Sequence, residues 1–146
     1  MKLVLAGRLA WKYESFKEKL KSYKYRNDVV MTGYVDDREL VQLIGSAYGM
    51  VYPSLLEGFG VPVLEAMRCD VPVITSANSS MQEIAKDAAL YADANSHTDM
   101  ADKMMLLYKD ENLRKELIIK GRQIAKQYNW DKTATLFWQS IEKAVH

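Results

Sequence analysis

Cysteine is nearly absent from this chain of 146 residues: Cys69 stands alone, so no internal disulfide can form and a reducing compartment is expected. His97 and His146 are the only two histidines, and no His/Cys cluster has metal-ligand spacing. Long apolar runs are missing as well. None approaches the roughly 20 residues that cross a bilayer. The opening MKLVLAG turns polar at Arg8, which reads as a strand and not a signal peptide. A cytoplasmic protein is expected, with a peripheral seat at the inner face of the membrane left open. Charge of one sign is lacking too: 20 Lys plus Arg offset 19 Asp plus Glu, and a net charge of +1 gives no electrostatic case for nucleic acid. The basic stretch from Lys17 to Arg26 has no clustered aromatic platform, so Tyr23 and Tyr25 read as packing on a helix face.

What is present is a globular composition, 49% hydrophobic and 27% charged, which predicts one domain over residues 1–146. Short β-rich runs alternate with helical patterns. Strands are predicted at Lys2–Ala6, Asp28–Thr32, Gly49–Tyr52, Val71–Thr75 and Ala88–Tyr91. A solvent-facing helix is predicted over about Glu14–Tyr25, and another after Asp36, whose pairing with Glu39 three residues on is a capping-box pattern. Pro62 suits a first helical turn, and three helices follow at about Ser96–Lys109, Asp110–Tyr128 and Asp131–Ala144. This alternation implies an α/β fold, a Rossmann-like parallel sheet flanked by helices.

Ligands of such sheets bind beyond the carboxyl ends of the strands. The loop that stands out there is Pro53-Ser54-Leu55-Leu56-Glu57-Gly58-Phe59-Gly60-Val61-Pro62. Gly58 and Gly60 allow close approach to the backbone, and the helix start offers donors and positive dipole to phosphate oxygens. Glu57 in the loop and Glu65, placed in the first turn of the helix, are carboxylates able to hold vicinal diols. Two glutamates eight positions apart also arise by chance, and one near a helix start can simply favour the dipole. The flanking glycines and the place after a strand favour a ligand site, and phosphate donors between two diol acceptors suit a sugar nucleotide.

The run from Glu57 through Glu65 to Met67 resembles the E-x7-E signature of retaining glycosyltransferases of the GT-B fold, the group 1 or GT4-type family. Likeness extends to Val71–Ser76, Ser79–Ile84, Asp87–Tyr91, Asp110–Arg114 and the aromatic–polar–Trp step Tyr128-Asn129-Trp130. Upstream, Leu3–Gly7, Trp11 and Thr32–Val35 also fit, so the resemblance spans essentially the whole chain. It implies the carboxy-terminal, donor-binding half of such an enzyme. Glu57 would be the catalytic residue at the hydroxyls of the donor sugar, and Glu65 would hold the ribose. The backbone of Gly58, Phe59, Gly60 and Val61 would sit by the sugar and diphosphate, and Gly33, Tyr34 and Val35 would border the base. The implied reaction transfers a hexose, with a lean toward mannose, from a nucleoside-diphosphate sugar to a glycan or lipid-linked acceptor. No cofactor and no essential metal are expected, and nucleic acid is not an expected partner.

Departures from the family pattern carry weight. The family's domain begins with an earlier strand and helix bearing a Gly-Arg pair and a Lys that grip the diphosphate. Gly7-Arg8 imitates that pair, yet only about 25 residues separate it from Gly33, the distance of the second strand. Arg8 and Lys12 therefore receive no diphosphate role and read as solvated. The missing strand is central in the family's sheet, so Leu3–Ala6 and Met50–Tyr52 are expected to pair directly or to accept another chain, with self-association through the open sheet as one form. With the amino-terminal, acceptor-holding domain also absent, the chain is expected to be inactive alone. The alternative is a non-catalytic glycosyltransferase-like remnant or assembly module. Asp70 replaces a glycine that would take a left-handed conformation, and Arg68 should point to solvent. Cys69 and His97 read as structural and surface residues. Trp130, Phe137 and Trp138 are assigned to anchoring against the core, with some of this surface exposed.

Overall fold

A computed structural model describes residues 1–8, 13–77 and 80–145. Trp11, Lys12, Ser79 and His146, named above, lie outside the described residues. By internal contacts the chain divides into two compact units, Met1–Leu43 and Ile44–His146.

The first unit holds β1 (Leu3–Ala6), α1 (Tyr13–Lys21), a 3-10 turn (Arg26–Asp28), β2 (Val29–Gly33) and most of α2 (Asp37–Gly45). β1 and β2 run parallel with Leu3 opposite Val29 and a register shift between Leu5 and Ala6. The Gly7 amide, at φ 130°, closes the ladder on the Gly33 carbonyl at 2.9 Å. The capping box forms: the Glu39 amide donates to Asp36 Oδ1 at 2.8 Å, and the Asp36 amide donates to Glu39 Oε2 at 3.3 Å. Tyr23 and Tyr25 lie beyond the end of α1 and are exposed, so they are not helix-face packing. None of the described residues before Ile44 is fully buried, and Leu3 and Val30 each keep 43% of their surface. A sheet of two strands cannot by itself enclose a core.

The second unit carries the core. Its sheet has the order β3 (Met50–Tyr52), β4 (Val73–Ser76), β5 (Ala89–Ala92), all parallel, with Met50 opposite Val73 and Val73 opposite Ala89. β4, paired on both sides, is buried along its whole length, which is why its residues read as a continuous apolar run and not as an alternation. Ile74, Ala92, Leu107 and Leu117 form a buried cluster under α5 (His97–Lys109) and α6 (Glu111–Ala125). Both helices are capped from the preceding residue, by the side chains of Ser96 and Asp110. α3 (Val61–Arg68) packs on α6 at Gly121, where a Cβ would stand 3.0 Å from Met67 Cγ.

Of the two expectations for Leu3–Ala6 and Met50–Tyr52, direct pairing is not found among the described residues, where β1 pairs with β2 and β3 with β4, and pairing with another chain stays as the other. Two expectations are corrected. A short helix, α4 (Ser80–Ala85), occupies a stretch with no predicted element. α7 (Trp130–Val145) has no buried residue: Trp130, Phe137 and Trp138 are 85%, 67% and 61% exposed and do not anchor to the core. No helix among the described residues is long and apolar enough to cross a membrane.

Candidate functional site

The glutamate loop grows from the tip of β3. Tyr52 ends that strand, and its hydroxyl donates to Glu57 Oε1 at 2.6 Å, while Ser54 Oγ donates to the same oxygen at 3.2 Å. Burial, then the bond to Glu57 and its charge, push the Tyr52 phenol up to about 12, so at neutral pH it keeps the proton that it donates to Glu57. Ser80 Oγ, at the start of α4, donates to the Glu57 carbonyl at 3.0 Å. From β4, Thr75 Oγ1 donates to the Tyr52 carbonyl at 2.9 Å, and Ser76 Oγ donates to the carbonyl of Ser54. The loop is thus tied at its root to the tips of β3 and β4, and at Glu57 to Tyr52, Ser54 and the start of α4. Tyr52, Ser54, Thr75, Ser76 and Ser80 were not singled out in the sequence. A tyrosine closing a strand five residues before an acidic loop position was the available signal.

The two glycines of the loop do different work. Gly58 is exposed and a Cβ there would meet nothing, so its backbone is open to a ligand. Gly60 is buried, holds φ 95°, and would drive a Cβ to 2.3 Å from Met81 Cε. Its missing side chain accommodates Met81 of α4. Gly60 is the N-cap of α3, and Val61 and Pro62 form the first turn. Glu65 is consequently in the second turn and not the first. Val63, Leu64, Ala66 and Met67 are buried, which leaves Val61, Glu65 and Arg68 on the solvent stripe at helical spacing. Side chains on a helix lean toward its start, so Glu65 leans toward Val61 and the loop. Its carboxylate has no hydrogen bond or ion pair among the described residues.

Beyond α3, Asp70 adopts the left-handed conformation at φ 59°, as its replacement of glycine required. Both its oxygens accept from the Arg122 guanidinium, at 2.8 and 2.7 Å, and this bond holds the Asp70 carboxyl below its ordinary 3.8. Arg68 is exposed as expected, and it also donates to the Tyr128 carbonyl. The base-side candidates belong to the first unit, Gly33 as the last residue of β2 and Tyr34 and Val35 just after it. Gly33 sits at φ 71°, and Tyr34 is exposed with the Arg8 guanidinium 4.6 Å from its ring centre. Arg8 therefore has a cation–π partner within its own unit.

An open cavity of about 460 Å³ lies at the carboxyl ends of β4 and β5, lined by Ser76, Tyr91, Asp93, Asn95 and Asp99, among others. It contains neither Glu57 nor Glu65. Its carboxylates are engaged in loop closure: Asp99 accepts from the Asp93 amide at 2.7 Å, and Asp93 from the Asn95 amide at 2.9 Å. The glutamate loop, with a carboxylate held at a strand tip beside a helix start, has the better chemistry for a sugar nucleotide.

The pattern of the glycosyl transferases group 1 matches residues 1–124. The O-antigen chain mannosyltransferase B of Escherichia coli is 34% identical over 133 residues, which is 91% of this chain and 35% of that protein. The chain therefore spans about a third of the length of that curated relative. Among solved structures, sucrose-phosphate synthase from Thermosynechococcus elongatus superimposes with a TM-score of 0.88 at 23% identity, over 99% of this chain and 38% of that one. HepE of Anabaena, solved in complex with UDP and glucose, gives a TM-score of 0.83 at 17% identity over 97% of this chain and 40% of that one. At those identities the structures show the fold alone, and the fold is GT-B, with the likeness falling in the carboxy-terminal portion. The chain belongs to the group 1 glycosyl transferase family.

Proposed function

We propose that this chain is the donor-binding part of a retaining hexosyltransferase that takes its sugar from a nucleoside diphosphate and passes it to a glycan or lipid-linked acceptor. One observation carries this reading: Glu57 is fixed at the tip of β3 by Tyr52 and Ser54, and Glu65 stands on the open stripe of the helix that follows. In the proposed complex Glu57 holds hydroxyls of the sugar, Glu65 holds the ribose diol, and the backbone from Gly58 to Val61 faces the diphosphate. The departing diphosphate gathers negative charge, which fixed N–H donors and the positive end of α3 oppose. No metal is assigned to this step. Mannose is the proposed sugar, supported by the name of the E. coli relative, and UDP with glucose in HepE supports a nucleotide and a sugar as the ligand class. The acceptor is assigned to further chain beyond this third of the relatives' length, and the apolar face of α7 suits contact with it.

A second reading is an assembly module with the same fold, favoured by the exposed stripe of α7 and a first unit none of whose described residues is buried. Calorimetric titration with UDP, GDP and their sugars separates the two. The donor-binding reading expects measurable affinity that falls about tenfold or more in Glu65→Ala, the scale of a lost hydrogen-bonded charge. A folded protein that binds none of these ligands belongs to the second reading, and affinity unchanged in Glu65→Ala removes the ribose assignment.

A further inference from the structure

The elbow between α6 and α7 reaches back to the glutamate loop. Tyr128 and Asn129 form this elbow, and the Tyr128 ring meets the Phe59 ring edge-on, centroids 5.8 Å apart and planes at 80°. The carbonyl of Tyr128 accepts from Arg68, one turn beyond Glu65 on the same stripe of α3. Asn129 caps α7, its Oδ1 accepting from the Lys132 amide at 2.8 Å. One elbow residue is therefore fastened at its ring to the loop that precedes α3 and at its carbonyl to the end of α3. The base of this bracket is firm, because α6 is locked to α3 by Gly121 against Met67 and by the Arg122–Asp70 fork.

We propose that Tyr128 is a positioning residue for the diphosphate end of the donor, holding the Phe59 backbone through the edge-on ring contact without touching the ligand. Phe59 is 47% exposed and flanked by two glycines, and the Tyr128 ring supplies a wall on one side of its own ring. The same elbow sets where α7 begins, so the start of α7 and the donor loop share one support.

This inference rests on the donor-binding reading and deepens it. Calorimetry on the full chain with UDP and UMP, and with GDP and GMP, tests it in the wild type and in Tyr128→Ala, Tyr128→Phe and Arg68→Gln. Tyr128→Ala is expected to weaken the diphosphates about two- to tenfold relative to the monophosphates, the scale of one aromatic pair. Tyr128→Phe, which keeps the ring, should restore the wild-type ratio. Arg68→Gln, on an exposed side chain, should lower the ratio in the same direction. A merely structural loss would weaken both nucleotide classes alike, and that result overturns the positioning role. Wild-type binding with an unchanged diphosphate-to-monophosphate ratio in Tyr128→Ala also overturns it. Absence of any nucleotide binding by the wild type overturns the donor-binding reading and this one with it.

Discussion

At the scale of single residues, the carboxylate of Glu57 is defined by its neighbours more than by its own position. A phenol whose pKa stands at about 12 cannot share its proton loss with a carboxylate near neutral pH, so Tyr52 acts as a fixed donor. Tyr52→Phe removes that donor and leaves Ser54 to hold the carboxylate. Affinity for a nucleotide sugar should fall about fivefold, while affinity for the free nucleoside diphosphate stays the same, as calorimetry can read. Asp70 gives a pH test. Its folded-state pKa is depressed, so its stabilisation is present above the ordinary 3.8 and is lost as pH falls through the lower folded value. Asp70→Asn keeps a side chain tolerant of φ 59° but loses the charge. At pH 7 it should cost no more than about 1 kcal/mol, because the pair is half exposed. Its melting temperature should approach the wild type's as pH falls below 3.8 and meet it once pH is under the lowered folded-state value. Glu57, Glu65 and the left-handed Asp70 were legible in the sequence because each replaces or repeats a patterned position. Tyr52, Ser80 and Tyr128 were not, since their roles depend on contacts between elements that spacing along the chain does not encode.

At the scale of elements, strand and helix order followed from apolar runs and capping signals, and the Asp36–Glu39 box formed as its spacing required. Strand ends moved by one or two residues because a buried parallel run such as Val71–Ser76 carries no alternation to mark where pairing starts. α4 was missed for lack of length: six residues hold too little periodicity to announce a helix. α3 starts at Val61 with Gly60 as its cap, which puts Glu65 in the second turn and not the first. Gly60 joins the glutamate loop to α3 as the helix cap. Gly60→Ala forces a Cβ onto Met81 and strains φ 95°, so denaturant unfolding should show a loss of about 1–3 kcal/mol. Met81 is fully buried, so Met81→Ala carries its own cavity cost of about 2–5 kcal/mol, and the clash shows instead in a double-mutant cycle, as a smaller cost of Gly60→Ala in the Met81→Ala background than in the wild type.

For the whole molecule, burial is distributed unequally: among the described residues the core residues all follow Leu43, and the first unit presents apolar strands with exposed faces. The family and its fold were visible from the ordered motifs, whereas the failure of β1 and β3 to pair was not, because no local signal says which neighbour an edge strand lacks. α7 shows the same limit. Its apolar face, Trp130, Phe137, Trp138 and Ile141, has the period of a core-facing helix and yet lies open. The central question for the molecule is whether one ligand lies along the glutamate loop and α3. A crystal structure of the chain with GDP-mannose or UDP-glucose answers it most directly. The expected result is the ribose diol within about 3 Å of the Glu65 carboxylate and sugar hydroxyls at the same range from Glu57. A nucleotide sugar seated instead in the cavity at the ends of β4 and β5, with both glutamates bare, would contradict it.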